Sequence, residues 1–295
     1  MFGQLVTAMV TPFDESLELD LGRLAKVIDH LIVTGTTGLV VSGTTGESAT
    51  LTHREKLMLF EETVRLVAGR IPVIAGTGGN NTAEAIAFTK EVDHLQVDAF
   101  LLVAPYYNKP SQEGLYQHFY SVAKATDKPI IVYNIPGRTA VNIAPETIVR
   151  LAGIDNIVAV KESSGDFTQI SRIIGETPDD FYVYSGDDKY TLPFLALGGY
   201  GVISVAAHVA GELMHAMLRA FFDEDLSEAR RMHHRLMPLF EGLFKTSNPV
   251  LVKAALGMIG MEVGGVRLPL VSATPEELRE LRRTLGSVVD LTVVH

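Results

Sequence analysis

Ile157-Val158-Ala159-Val160, followed at once by Lys161-Glu162, is an apolar run of strand length with no polar face. A strand apolar on both faces belongs in a parallel sheet that is covered by helices on one side and filled on the other. Seven further runs share this character, at residues 5–10, 38–41, 71–75, 99–103, 130–133, 181–184 and 200–203. Their starts fall 19 to 33 residues apart, the length of a strand plus a returning helix. Between them, residues 21–33, 54–68, 82–95 and 112–125 place apolar side chains at three- and four-residue spacing, which predicts helices. Thr52 with Glu55 three residues on reads as a capping box.

Eight such units in a row predict an α/β fold, a (β/α)8 TIM barrel over residues 1–223. A doubly wound open sheet is the competing architecture, and the first strand lacks the glycine-rich phosphate loop that would favour it. Helical patterns at 211–222, 227–244, 249–258 and 275–285 exceed what one barrel helix needs. Residues 224–295 are therefore expected to form a C-terminal helical extension packed on the barrel.

Composition narrows the function. The formal net charge of −10 argues against a nucleic-acid partner, which needs clustered cations. With no cysteine there is no disulfide, no thiolate nucleophile and no Cys-ligated metal. The first residues show no basic, apolar leader, and no apolar run approaches the roughly 18 residues of a membrane span, so the expected address is the cytoplasm. No His, Asp or Glu cluster has convincing metal spacing, and His233-His234 reads as a solvated helix face.

A barrel of this type keeps its chemistry in the loops after the strands. Lys161 ends its apolar strand, where desolvation would lower its pKa and leave a nucleophilic amine; snorkelling to the rim beside Glu162 is the alternative. Tyr133 ends the neighbouring strand and is placed either to move protons or simply to fill the barrel top. Arg138 suits a carboxylate clamp or a solvated loop. Gly43-Thr44-Thr45-Gly46 offers hydroxyls and backbone N–H groups to a small anion, or is merely a tight turn.

Taken together, these segments resemble the dihydrodipicolinate synthase and N-acetylneuraminate lyase superfamily. The resemblance runs from residue 5 to about 270 and rests on Gly43-Thr44-Thr45-Gly46-Glu47-Ser48, Pro105-Tyr106-Tyr107-Asn108, Tyr133-Asn134-Ile135-Pro136, Val160-Lys161-Glu162, Ser185-Gly186-Asp187 and Gly201-Val202-Ile203-Ser204. Thr44-Thr45 and the Arg138 of Tyr133-Asn134-Ile135-Pro136-Gly137-Arg138-Thr139 resemble the synthase branch rather than pyruvate aldolases acting on sugar acids such as N-acetylneuraminate or 2-keto-3-deoxygluconate. A catalytically silent barrel that senses a 2-oxo acid is the non-enzymatic alternative.

The resemblance implies a lyase that holds pyruvate as a Schiff base on Lys161, with its carboxylate on Thr45. The second substrate would be L-aspartate 4-semialdehyde, held by Arg138, in the branch of metabolism leading to diaminopimelate and lysine. Tyr133 would move protons, linked through Thr44 to Tyr107, while Gly186 and Ile203 would line the pocket. No cofactor is implied. A homotetramer built from two tight dimers is implied, as is an allosteric lysine site at Ser48, Ala49, His53, Asn80, Glu84 and Tyr106. Lys56 stands where lysine-sensitive members carry a histidine, so weak feedback is expected. Other departures are Glu162-Ser163-Ser164-Gly165 in place of Glu-Ala-(Ser/Thr)-Gly, His208 in place of a common asparagine, and Lys245-Thr246-Ser247 in place of a more acidic stretch; these are expected to touch only helix packing.

Overall fold

The computed structural model describes residues 2–289 and 291. Its strands are β1 (Leu5–Ala8), β2 (Gly38–Val41), β3 (Val73–Gly76), β4 (Ala99–Val103), β5 (Ile130–Asn134), β6 (Ile157–Glu162), β7 (Tyr182–Ser185) and β8 (Gly201–Ser204). They follow one another in chain order around a closed barrel, which settles the choice between barrel and open sheet. The β1–β2 pair and every neighbouring pair from β3 to β8 run parallel. The chain falls into two compact units, one made of the residues up to Ile71 with those from Ser204 onward, the other of Pro72–Ile203.

Strand ends depart from the apolar pattern for local reasons. β3 begins at Val73, not residue 71, because Pro72 has no N–H for a ladder. β1 stops at Ala8, and the Val10 N–H then donates to His208 Nε2 at 3.1 Å. β5 and β6 run past their apolar runs to take in Asn134 and Lys161-Glu162. The ladder continues there, pairing Tyr133 with Lys161 and Asn134 with Glu162, because the polar side chains find partners (below).

The helices keep close to their predicted bounds. Leu21–Val33 starts at Asp20, whose side chain accepts from the Arg23 N–H, and His53–Val67 starts at the Thr52–Glu55 capping box. The C-terminal helices are Ala207–Phe222, Leu226–Gly242, Val250–Met258 and Pro275–Gly286. The first of these begins four residues before the expected Gly211, with a kink at Ala210, where φ is −137°. On Leu226–Gly242, His234 is exposed but His233 is only 8% exposed, which corrects the reading of both as a solvated face. Its neighbour Phe240 lies two helical turns on, so His233 belongs to the packed stripe.

In the first unit, a buried ion pair ties the C-terminal helices to the turn after β2. Lys253 Nζ lies 2.6 Å from Glu47 Oε1, donates to the Gly265 carbonyl at 2.7 Å, and stands 4.1 Å from the centre of the Phe13 ring. The second Glu47 oxygen accepts the Arg267 backbone N–H at 2.9 Å. Arg267 itself reaches Glu55 and the carbonyls of Leu17 and Thr50. Burial pulls the Lys253 pKa down to about 8 against the pull of Glu47. Lys253→Met should strand the Glu47 carboxylate and cost about 3–5 kcal/mol of unfolding free energy by urea titration, with much of it recovered in the Glu47→Gln/Lys253→Met double variant. A single variant within about 1 kcal/mol of the parent would show that the pair carries no such strain.

Candidate active site

The register of β5, β6 and β7 decides what surrounds Lys161. Tyr133 and Tyr184 lie beside it on the two neighbouring strands. Side chains alternate along a strand, so Lys161 and Glu162 point to opposite faces. Lys161 is 5% exposed, and its Nζ lies 4.3 Å from the centre of the Tyr133 ring. Burial drives its pKa down to about 8; Asp188 and Asp187 pull it back up, and Arg138 pushes it further down. At neutral pH a usable fraction is therefore free amine.

Glu162 is satisfied on the other face. Its carboxylate accepts from Asn134 Nδ2 at 2.9 Å, Gln169 Nε2 at 3.3 Å and the Ser164 N–H at 2.6 Å. Asn142 joins this network through Asn134 and Gln169. Burial raises the Glu162 pKa while these donors oppose the rise.

Gly186 leaves little space for a side chain. A Cβ there would stand 1.9 Å from Ser163 Oγ and 3.0 Å from Lys161 Cε. Its N–H donates to the Glu162 carbonyl, so the backbone of the turn after β7 closes directly against the lysine. Ser163, expected to matter only for packing, thus lies against Gly186 within this cluster. Arg138 sits exposed on the short helix Pro136–Thr139, so the position is helical rather than a loop. Tyr107 is 89% exposed, with φ at +74°, and Ile203 is buried in β8.

In the first unit, the turn after β2 is closed by its own backbone. The Glu47 N–H donates to the Thr44 carbonyl, the Ser48 N–H to the Gly43 carbonyl, and Thr11 Oγ1 to the Gly46 carbonyl at 2.6 Å. Thr44 is half-buried. Thr45 is 3% exposed, and its hydroxyl accepts from Asn248 Nδ2 at 2.8 Å.

The residues of the expected lysine site are spread over several elements. Ser48 and Ala49 lie on the short turn Ser48–Thr50, and His53 opens the helix that follows. Glu84 is in the first turn of Thr82–Asp93, and Asn80 Nδ2 donates to the Tyr106 carbonyl. Lys56 is half-buried, and desolvation lowers its pKa. Among the described residues, no group of three His, Asp or Glu side chains could hold a metal ion.

Sequence reading gave no role to Asn248, Glu47, Lys253 or Asp188. The partners of the first three lie about 200 residues away in the chain. His208 is more than helix packing: it accepts the Val10 N–H at 3.1 Å and stays neutral, its pKa pushed down to about 4 by burial.

The fold is a (β/α)8 barrel that holds a desolvated strand amine beside a phenol. The description of the dihydrodipicolinate synthetase family fits residues 1–288, and the chain belongs to that family. It is 52% identical over 288 residues to a 4-hydroxy-tetrahydrodipicolinate synthase of Bacillus subtilis, covering 97% of this chain and 99% of that one. It is 54% identical over 281 residues to the Desulforudis audaxviator protein of the same name, covering 95% and 96%. A crystal structure of a dihydrodipicolinate synthase from Bacillus anthracis superposes with a TM-score of 0.97 at 49% identity, covering 98% of this chain and 99% of that one.

The desolvated lysine makes a pH prediction. Only the neutral amine attacks a carbonyl, so borohydride trapping of pyruvate should modify Lys161 alone. Its initial rate should climb about tenfold per pH unit in acid and level off near pH 8. A rate still climbing at about pH 10 would mean an ordinary, solvated lysine.

Proposed function

We propose that the chain condenses pyruvate with L-aspartate 4-semialdehyde to give 4-hydroxy-tetrahydrodipicolinate, in the biosynthesis of diaminopimelate and lysine. The observation that carries this reading is Lys161, buried among apolar strand residues with its amine over the Tyr133 ring. Relatives named for this synthase at 52% and 54% identity favour it over an aldolase of sugar acids. Among the described residues, no helix is long and apolar enough to cross a membrane, and the proposed compartment is the cytoplasm.

Lys161 adds to the C2 carbonyl of pyruvate to form a carbinolamine, which loses water to the imine. The imine accepts the electron pair released when a C3 proton leaves, giving an enamine without any cofactor. C3 then bonds to the aldehyde carbon, whose oxygen takes up a proton. The amine of the second substrate attacks C2, closes the ring and frees Lys161. Tyr133 moves the protons, with Thr44 and Tyr107 completing the relay. Thr45 holds the pyruvate carboxylate, Arg138 the carboxylate of the semialdehyde, and Gly186 and Ile203 line the pocket through their backbones.

Arg138→Ala separates the two substrates. Pyruvate trapping should persist, while kcat/KM for the semialdehyde falls about 100-fold or more, as expected for losing a charge-assisted, two-pronged contact. Equal damage to trapping would assign Arg138 another role.

The exposed Tyr107 ring supports a homotetramer of two tight dimers in which Tyr107 serves the partner's site. Co-refolding equal amounts of Lys161→Ala and Tyr107→Phe chains should then restore roughly a quarter of parental activity, because half the dimers are hybrid and each hybrid carries one intact site. Activity no higher than the mean of the two variants, with hybrids verified by mass spectrometry, would confine the relay to one chain.

A further inference from the structure

Two side chains from the start of the C-terminal helix Val250–Met258 grip the turn that carries Thr45. Lys253 holds Glu47, and Asn248, just before the helix, donates to the Thr45 hydroxyl. Asn248 is 6% exposed, and its Oδ1 has no hydrogen-bond partner among the described residues. With Nδ2 facing Thr45 Oγ1, the amide donates and the hydroxyl accepts.

A hydroxyl that accepts one hydrogen bond still has its own proton to give. The Asn248 N–H occupies a lone pair of Thr45 Oγ1, and the Thr45 proton is thereby directed elsewhere. We propose that Asn248 is a positioning residue for the condensation, fixing the Thr45 hydroxyl as a donor to the pyruvate carboxylate. This rests on the reading of Thr45 as that carboxylate's partner. The helices beyond the eighth strand then have a part in substrate binding, since the donor that sets Thr45 is 203 residues away in the chain.

The proposal makes a prediction about sign. Asn248→Ala removes the fixing bond and should raise the pyruvate KM about tenfold, leaving the semialdehyde KM within about twofold. Asn248→Asp is nearly isosteric, yet its carboxylate can only accept. It would draw the Thr45 proton away from the substrate and should raise the pyruvate KM further than the alanine change. Because a protonated carboxyl can donate again, that defect should shrink as pH falls, a trend absent from the parent and from Asn248→Ala.

Thr45→Val tests the underlying reading. If it leaves the pyruvate KM unchanged, Thr45 does not hold the carboxylate and both ideas fall. If it raises the KM, adding Asn248→Ala to it should bring little more, since the hydroxyl to be positioned is gone. An aspartate variant that matches the parent, or an alanine effect that persists in full on Thr45→Val, overturns the positioning role alone. Should the aspartate variant not fold, the alanine–valine cycle decides by itself.

Discussion

The burial of one ammonium group organises the second unit. Lys161 is useful only if water is kept from it, and its strand must then be apolar on both sides up to the lysine and still be ladder-paired at it. That constraint explains the company it keeps. Gly186 lies where the Ser163 hydroxyl and the lysine stem leave little space for a side chain, and the amine stands over the Tyr133 ring. Glu162 is the consequence of alternation: a residue after a buried lysine faces the opposite side, and here that side is buried too. A carboxylate placed there needs donors, and Asn134, Gln169 and the Ser164 N–H supply them.

A second buried lysine shows that desolvation alone does not make a nucleophile. Lys253 has its pKa drawn down to about 8, as Lys161 has. Yet Lys253 is committed to Glu47 and the Gly265 carbonyl and is packed against Phe13, leaving its nitrogen no room for a substrate. Asp188 and Asp187 raise the Lys161 pKa against the effect of burial and so temper the shift. The two lysines differ in what holds them, and so in what they are for.

Reading along the chain, the barrel was legible because eight apolar runs at βα spacing leave few other folds. The ends of the strands were less so. Apolarity stops at Val160 and Val132, whereas pairing continues to Glu162 and Asn134, because the ladder depends on backbone geometry and on side-chain partners supplied by Gln169 and Asn142. Likewise His233 lies in a charged stretch of sequence, and only the packing of its helix buries it.

The sequence by itself determined the order of strands and helices and marked the lysine, the phenol and the threonine pair as candidates, since each lies on a local pattern of apolarity or turn residues. Tertiary structure alone decided which polar groups act on one another: Asn248 on Thr45, Lys253 on Glu47, His208 on the Val10 N–H. These bonds join residues about 200 apart, and no periodicity or spacing encodes them. Hydrogen bonds and ion pairs depend on distance and direction in space, and the closing of the chain on itself sets both.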